Sequence, residues 1–283
     1  MGTSVEIQVT ADHRASAVQA SELIVRALES AEARLSTWRA DSELSRFQRG
    51  EVEASPALRA ELDAAVAWGR ATEGAFEPRC AAMVQAWDLR GEGRLPSRDE
   101  QRAAALDHSR WEEGGFGKGA GLAAVARELA ALPDVQRAQV NLGGQWLLFG
   151  PSLFEIEVAD PDARGAAIAT LRIPGGSVAT SGNSERGVVI DGQRFGHVLD
   201  PRSGAPARDF GSVTVIHPDP LAADCLATAF LVLGPEAALA WAARDPQLEV
   251  LIVERGPHGP RLHGSAGLDF TPTQPASASP TSQ

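Results

Sequence analysis

Four segments carry side chains whose types and spacing can do chemistry. The run Gly114-Gly115-Phe116-Gly117-Lys118-Gly119-Ala120-Gly121 leads into an Ala-rich amphipathic stretch, Gly119 to Leu132, stopped by Pro133. Glycines let backbone approach a ligand and turn N–H groups toward it, and a helix N-terminus adds partial positive charge, so the combination favours a phosphate. The spacing is not that of a P-loop, because no Ser or Thr follows Lys118, and no apolar strand precedes the run as a dinucleotide fold requires. A plain Gly-rich turn is the other reading. The run Ala222 to Ala229 places Asp224 and Thr228 four apart on an otherwise apolar helix, so both oxygens share one face. A carboxylate is costly to bury there unpaired. Either these hard oxygens hold Mg²⁺, which takes few protein ligands and completes its shell with phosphate and water, or Asp224 is a first-turn acid complementing the helix dipole.

In Gly196 to Pro206 a short strand delivers His197 and Asp200 into a Pro/Gly turn. A histidine beside an aspartate serves as a general base or phosphate ligand, or it caps the turn through local hydrogen bonds. Val178 to Asn183 reads as a strand end entering a polar turn; Ser181 is a candidate nucleophile, but no G-x-S-x-G surrounds it, and turn chemistry accounts for it equally. The chain has a single lysine, Lys118, and no tyrosine. Lysine is a compact, tunable ammonium where arginine is a permanently charged fork, which makes a lone lysine inside a Gly-rich segment worth attention.

Strands and helices interleave without a fixed period. Val5-Ile7-Val9 alternate as a strand, and Ser16 to Leu35 places Leu23, Ile24, Leu28 and Leu35 at helical spacing. Ser55-Pro56 reads as an N-cap with Pro at the first helical position, opening a helix to about Thr72. A short helix is expected near Ser97–Leu106. Strands are expected at Ala138–Leu142, Trp146–Phe149, Phe154–Val158, Ile168–Ile173, Gly187–Ile190, Ser212–His217 and Val250–Glu254, with helices at Leu221–Leu233 and Pro235–Ala243. Segregated helices and short strands give an α+β class. One domain is expected over 1–264, with a Ser/Pro/Thr-rich, disordered tail over 265–283.

The 283 residues are 43% hydrophobic with net charge −11, enough to bury a core without disulfides or structural metal. Cys80 and Cys225 are far apart and form no CxxC pair. An acidic chain without a basic block argues against nucleic acid and anionic membranes, and no apolar run approaches the ~20 residues of a membrane helix. The opening residues read as a strand and not as a signal peptide, so a cytoplasmic location is expected.

In their order, these segments resemble the ApbE family of flavin transferases (FAD:protein FMN transferases). The matching pieces are Ser36-Thr37-Trp38-Arg39-Ala40-Asp41-Ser42-Glu43-Leu44-Ser45-Arg46, Gly74-Ala75-Phe76-Glu77-Pro78, Gly114–Gly119, Asn141-Leu142-Gly143-Gly144, Ala179-Thr180-Ser181-Gly182, His197–Gly204, Ser212-Val213-Thr214-Val215 and Ala223–Ala229. The resemblance implies an ApbE-like, T-fold-related two-lobed architecture with a nucleotide cleft between the lobes. It implies Mg²⁺-dependent transfer of FMN from FAD to a Thr or Ser hydroxyl of an acceptor flavoprotein, with release of AMP. Metal ligands carry over to Asp224, Thr228 and the Gly117 carbonyl; catalytic roles to His197 and Asp200; and FAD contacts to Glu43, Gly115, Lys118, Gly119, Thr180, Ser181, Gly182 and His197. The chain departs from the family pattern at Glu112-Glu113, where Asp-Leu is usual, at Ala120 and Ala123, where an aromatic and a carboxylate are usual, at Glu77, and at Asn183, where Asp is common. The same residues with water as acceptor would make an FAD pyrophosphatase, and the departures would suit a non-catalytic FAD-binding homologue.

Overall fold

Along the described residues of a computed structural model (2–163, 165–183 and 187–273), helices dominate the first half and strands the second. Strand β1 (Val5–Ala11) is followed by helices α1 (Arg14–Leu35), α2 (Glu43–Gln48), α3 (Pro56–Ala71), α4 (Ala81–Ala86) and α5 (Arg98–Leu106). A 3-10 turn at Glu113–Gly115 then leads into α6 (Gly117–Ala130). Strands β2 (Val135–Leu142), β3 (Gln145–Phe149), β4 (Phe154–Ala159), β5 (Ala167–Ile173), β6 (Gly176–Gly182), β7 (Gly187–Ile190), β8 (Gln193–Gly196), β9 (Leu199–Asp200), β10 (Ala205–Pro206) and β11 (Gly211–His217) come next. The chain closes with α7 (Pro220–Leu233), α8 (Pro235–Ala242), β12 (Glu249–Glu254), β13 (Arg261–Gly264) and β14 (Phe270–Pro272).

The frame is a seven-stranded antiparallel sheet in the order β1-β2-β3-β6-β11-β12-β13. Side chains alternate across it. Ala179, Val213, Val215, Val250 and Ile252 face α7 and α8, and Ala138, Val140 and Leu147 face α1 and α6. Val178, Ile216, Leu251 and Val253 face the other way, onto the three-stranded sheet β14-β5-β4. Both faces of the central strands are therefore covered, and β11 is buried at every residue. A further core, built from Leu35, Leu44, Leu58, Leu62, Phe76 and Phe116, packs the first helices against the outer sides of α6 and α7. Helix α7 is sandwiched between these cores, which explains its nearly unbroken apolar sequence.

The Ser55 hydroxyl accepts the Leu58 N–H at 3.2 Å with Pro56 in the first helical turn, and Ser97 closes a capping box with Glu100. Two boundaries differ from the sequence reading. Helix α6 begins at Gly117, so Lys118 and Gly119 lie in its first turn rather than in a loop. The expected tail does not begin at 265: β14 pairs Phe270 with Leu171 and Pro272 with Ala169, because Phe270 and Leu268 have an apolar cluster to join. Residues 274–283 of that tail, and Met1, lie outside the described residues.

Candidate active site at the α6–α7 contact

Asp224 projects from the first half of α7 at the N-terminus of α6. Phe116, the N-cap of α6, offers no side-chain cap, and Asp224 from the neighbouring helix takes that role: its Oδ2 accepts the Gly119 N–H at 2.8 Å. The helices approach this closely because position 119 has no side chain. A Cβ there would lie 2.5 Å from the Pro220 carbonyl oxygen and 2.8 Å from the Asp224 Cβ. One turn along α7, Thr228 faces Gly115, where a Cβ would sit 3.3 Å from the Thr228 Oγ1 and 3.0 Å from the Phe76 ring. Three of the sequence segments therefore meet: Gly114–Gly119, Gly74–Pro78 and Ala223–Ala229.

Asp224 is buried, and burial pushes its carboxyl above the ordinary carboxylate range, opposed by the Lys118 charge and the Gly119 N–H. Its Oδ1 makes no hydrogen bond among the described residues. A buried carboxylate with one oxygen uncommitted, a hydroxyl one turn away, and the α6 N-terminus alongside form an all-oxygen donor set that fits a hard cation such as Mg²⁺. Among the described residues no cluster of three or more His, Cys, Asp or Glu offers an alternative metal centre.

His197 follows β8. Val198 buries in the cluster that holds Ala223 and Ala227, so the turn carrying His197 lies on the α7 side of the sheet. Asp200 is held in that turn: its two oxygens accept from the Arg202 guanidinium at 2.8 Å each, and Oδ1 also accepts the Arg202 N–H at 3.0 Å. The turn is clamped where the Trp87 indole donates to the Gly204 carbonyl at 2.7 Å. Beside it, a groove of about 420 Å³ runs between Gly74, Glu77, Pro201, Arg202 and the end of α5.

Other expected residues stand elsewhere. Glu43 is turned to α3, where its Oε1 accepts the Ser55 N–H at 2.6 Å. Thr180 pairs its hydroxyl with Thr214 at 2.8 Å. Strand alternation puts both on the face of Val178 and Ile216, opposite α7. Ser181, one residue on, shares the α7 face with Ala179, and Gly182 ends the strand against Gly211 and Ser212.

The sequence reading missed a polar cluster behind the glycine segment. Glu113 is buried and accepts from the Thr37 hydroxyl, while Arg90 reaches Glu112 at 2.6 Å and stacks 4.3 Å over the exposed Trp38 ring. Burial first and the Glu113 charge next hold Glu112 above the usual carboxylate range, with Arg90 opposing. Thr37 and Trp38 lie in the Ser36–Arg46 segment, but nothing marked Arg90 among the many arginines.

The ApbE family model matches residues 1–252, and the chain belongs to the ApbE family. It is 27% identical over 298 residues to the FAD:protein FMN transferase of Haemophilus influenzae, covering 92% of this chain and 86% of that protein. The FAD:protein FMN transferase of Vibrio cholerae is 27% identical over 276 residues, with 87% and 82% covered. Among solved structures, the ApbE protein from Thermotoga maritima superposes with a TM-score of 0.82 at 27% identity, and the flavin transferase ApbE from Vibrio cholerae with 0.76 at 26%. Each covers 94% of both chains.

Proposed function

We propose that this chain transfers FMN from FAD to a Thr or Ser hydroxyl of an acceptor flavoprotein and releases AMP, with Mg²⁺ held by Asp224, Thr228 and the Gly117 carbonyl. The observation that carries the reading is the buried Asp224 carboxylate capping the first turn of α6 through Oδ2, with Oδ1 making no hydrogen bond among the described residues. Family membership and the names of the relatives support the reaction class.

The acceptor oxygen attacks the phosphorus of the FMN half, the bridging P–O bond breaks, and AMP leaves with the bonding electrons. Lys118 and the amides at the start of α6 offer positive charge to the diphosphate. When bound, Mg²⁺ would neutralise diphosphate charge that grows on the leaving group. The attacking hydroxyl loses a proton, which we assign to an imidazole nitrogen of His197. Both oxygens of Asp200 are already taken by the Arg202 guanidinium; its role is to fix the turn after His197. Gly115 and Gly119 keep the backbone against α7, and Ser181 and Gly182 line the sheet side of the cleft. Glu43 acts at one remove by bracing α3, and Thr180 by bracing β6 against β11.

The test is AMP release from FAD, followed chromatographically with and without Mg²⁺ and an acceptor flavoprotein domain, with in-gel flavin fluorescence of the acceptor. AMP together with a fluorescent acceptor band is the expected result. AMP at a rate indifferent to acceptor would replace transfer by hydrolysis, and FAD binding without AMP would leave a binding protein.

A further inference from the structure

Asn183 is 2% exposed at the end of β6, and three of its contacts converge on the residues around His197. Its Oδ1 accepts the Val198 N–H at 3.4 Å. Because a backbone amide can only donate, this contact fixes which way the side-chain amide points. Its backbone carbonyl accepts from the Arg194 guanidinium at 3.0 Å. On the other side of His197, Gly196 lies flat against the amide: a Cβ at 196 would stand 2.2 Å from the Asn183 Cγ and 2.3 Å from its Oδ1. Position 196 has no left-handed backbone angle to accommodate, so its glycine is explained by this close approach alone.

The amide nitrogen Nδ2 is buried without a hydrogen-bond partner among the described residues. An orphaned buried donor is costly and rare, and costs of this kind gather at functional sites. A side chain kept for stability alone would be better replaced by an apolar one. A side chain whose role is the shape it imposes on its neighbours accounts for both the orphaned amide and the missing Cβ at 196.

We propose that Asn183 is a positioning residue for His197, gripping residues 196 and 198 so that the imidazole is presented from a fixed backbone. The proposal rests on the flavin-transferase reading only for its kinetic consequence; the geometric claim stands without it. Moving a catalytic group by about 1 Å costs on the order of a hundredfold in rate. Loss of the grip in Asn183→Ala is therefore expected to lower kcat by tenfold or more, with KM for FAD within about threefold. Asn183→Asp keeps the acceptor for Val198 and is expected to retain the His197 geometry.

The experiment has two arms. In the first, the imidazole signals of the six histidines are followed by NMR through a pH titration in wild-type protein, Asn183→Ala and Asn183→Asp. The His197 signal is assigned from His197→Ala. The expected result is a changed His197 shift and titration midpoint in Asn183→Ala, the other five unmoved, and recovery toward wild type in Asn183→Asp. An unmoved His197 signal in folded Asn183→Ala, or an equal disturbance of all six, overturns the proposal. The second arm is a double-mutant cycle on AMP release. Asn183→Ala is expected to have no further effect on kcat in a His197→Ala background, whereas additive losses would show action by another route. Gly196→Ala, which wedges the same contact from the other side, is expected to reproduce the kcat loss and the His197 shift. Wild-type protein that releases no AMP would refute the flavin-transferase reading and leave the NMR arm to decide the positioning role.

Discussion

Gly119→Ala tests whether the α6–α7 contact makes the site. The added Cβ would meet the Pro220 carbonyl oxygen at 2.5 Å, the Asp224 Cβ at 2.8 Å and the Leu221 Cα at 2.9 Å. All are backbone atoms or the first side-chain carbon, so no rotamer change relieves them, and α6 must retreat by about 1 Å to restore ordinary contact. Overpacking of this kind costs roughly 1–3 kcal/mol, partly offset by a helix-propensity gain of at most ~1 kcal/mol over glycine. The expected net loss is about 1–2 kcal/mol, a fall in Tm of roughly 2–8 °C for a chain of this size. The same retreat pulls the Gly119 N–H away from Asp224, now 2.8 Å apart, and misplaces the metal pair against the diphosphate by enough to lower AMP release about a hundredfold. Gly114→Ala is the control, since its Cβ would meet nothing nearer than the Glu112 Oε1 at 3.8 Å; stability within ~0.5 kcal/mol is expected. Calorimetry with the AMP assay reads both effects. A Gly119→Ala protein as stable and active as Gly114→Ala would refute the close-contact argument.

Other outcomes follow from the same geometry. Phe230→Ala empties a fully buried site between the sheet and α7 and is expected to cost about 3–5 kcal/mol in urea unfolding. Glu112 has a raised folded pKa, so the folded state holds its proton longer than the unfolded state, and stability from this group is lost as pH climbs above its ordinary value of 4.5. Glu112→Gln should therefore gain stability relative to wild type between pH 4.5 and 7, read as a difference in urea midpoints; a constant difference would contradict the shift. Asp200→Asn, which removes a turn anchor and not the base, is expected to lower turnover less than tenfold, against a hundredfold or more for His197→Ala; equal losses would return the proton to Asp200.

Much of this was legible in the sequence wherever one local rule sufficed. Ser55-Pro56 announced α3, and the four-residue spacing of Asp224 and Thr228 placed both oxygens on one helix face before any contact was known. The partners of that face were not legible from spacing. That Asp224 caps α6, and that Gly119 exists to let it, depends on two helices 105 residues apart meeting. Strand alternation sends the Thr180 side chain to the sheet face opposite Ser181, a distinction that needs the register. Glu43 holds the N-cap residue of α3 through the Ser55 N–H, a contact that its motif does not show. Helix α2 is too short to show a period, and β14 hides in turn-rich composition until the β4–β5 sheet gives it an edge. The Arg90–Glu112 pair joins residues with no periodic relation, which only tertiary structure reveals.

The most direct measurement is AMP release from FAD by wild-type protein and Asp224→Ala, each with acceptor domain, titrated with Mg²⁺ and checked for a fluorescent acceptor band. The account predicts Mg²⁺-saturable AMP release with a labelled acceptor for wild type, and neither at any Mg²⁺ concentration for a folded Asp224→Ala. Undiminished AMP release by Asp224→Ala, or wild-type release indifferent to chelation of Mg²⁺, would contradict it.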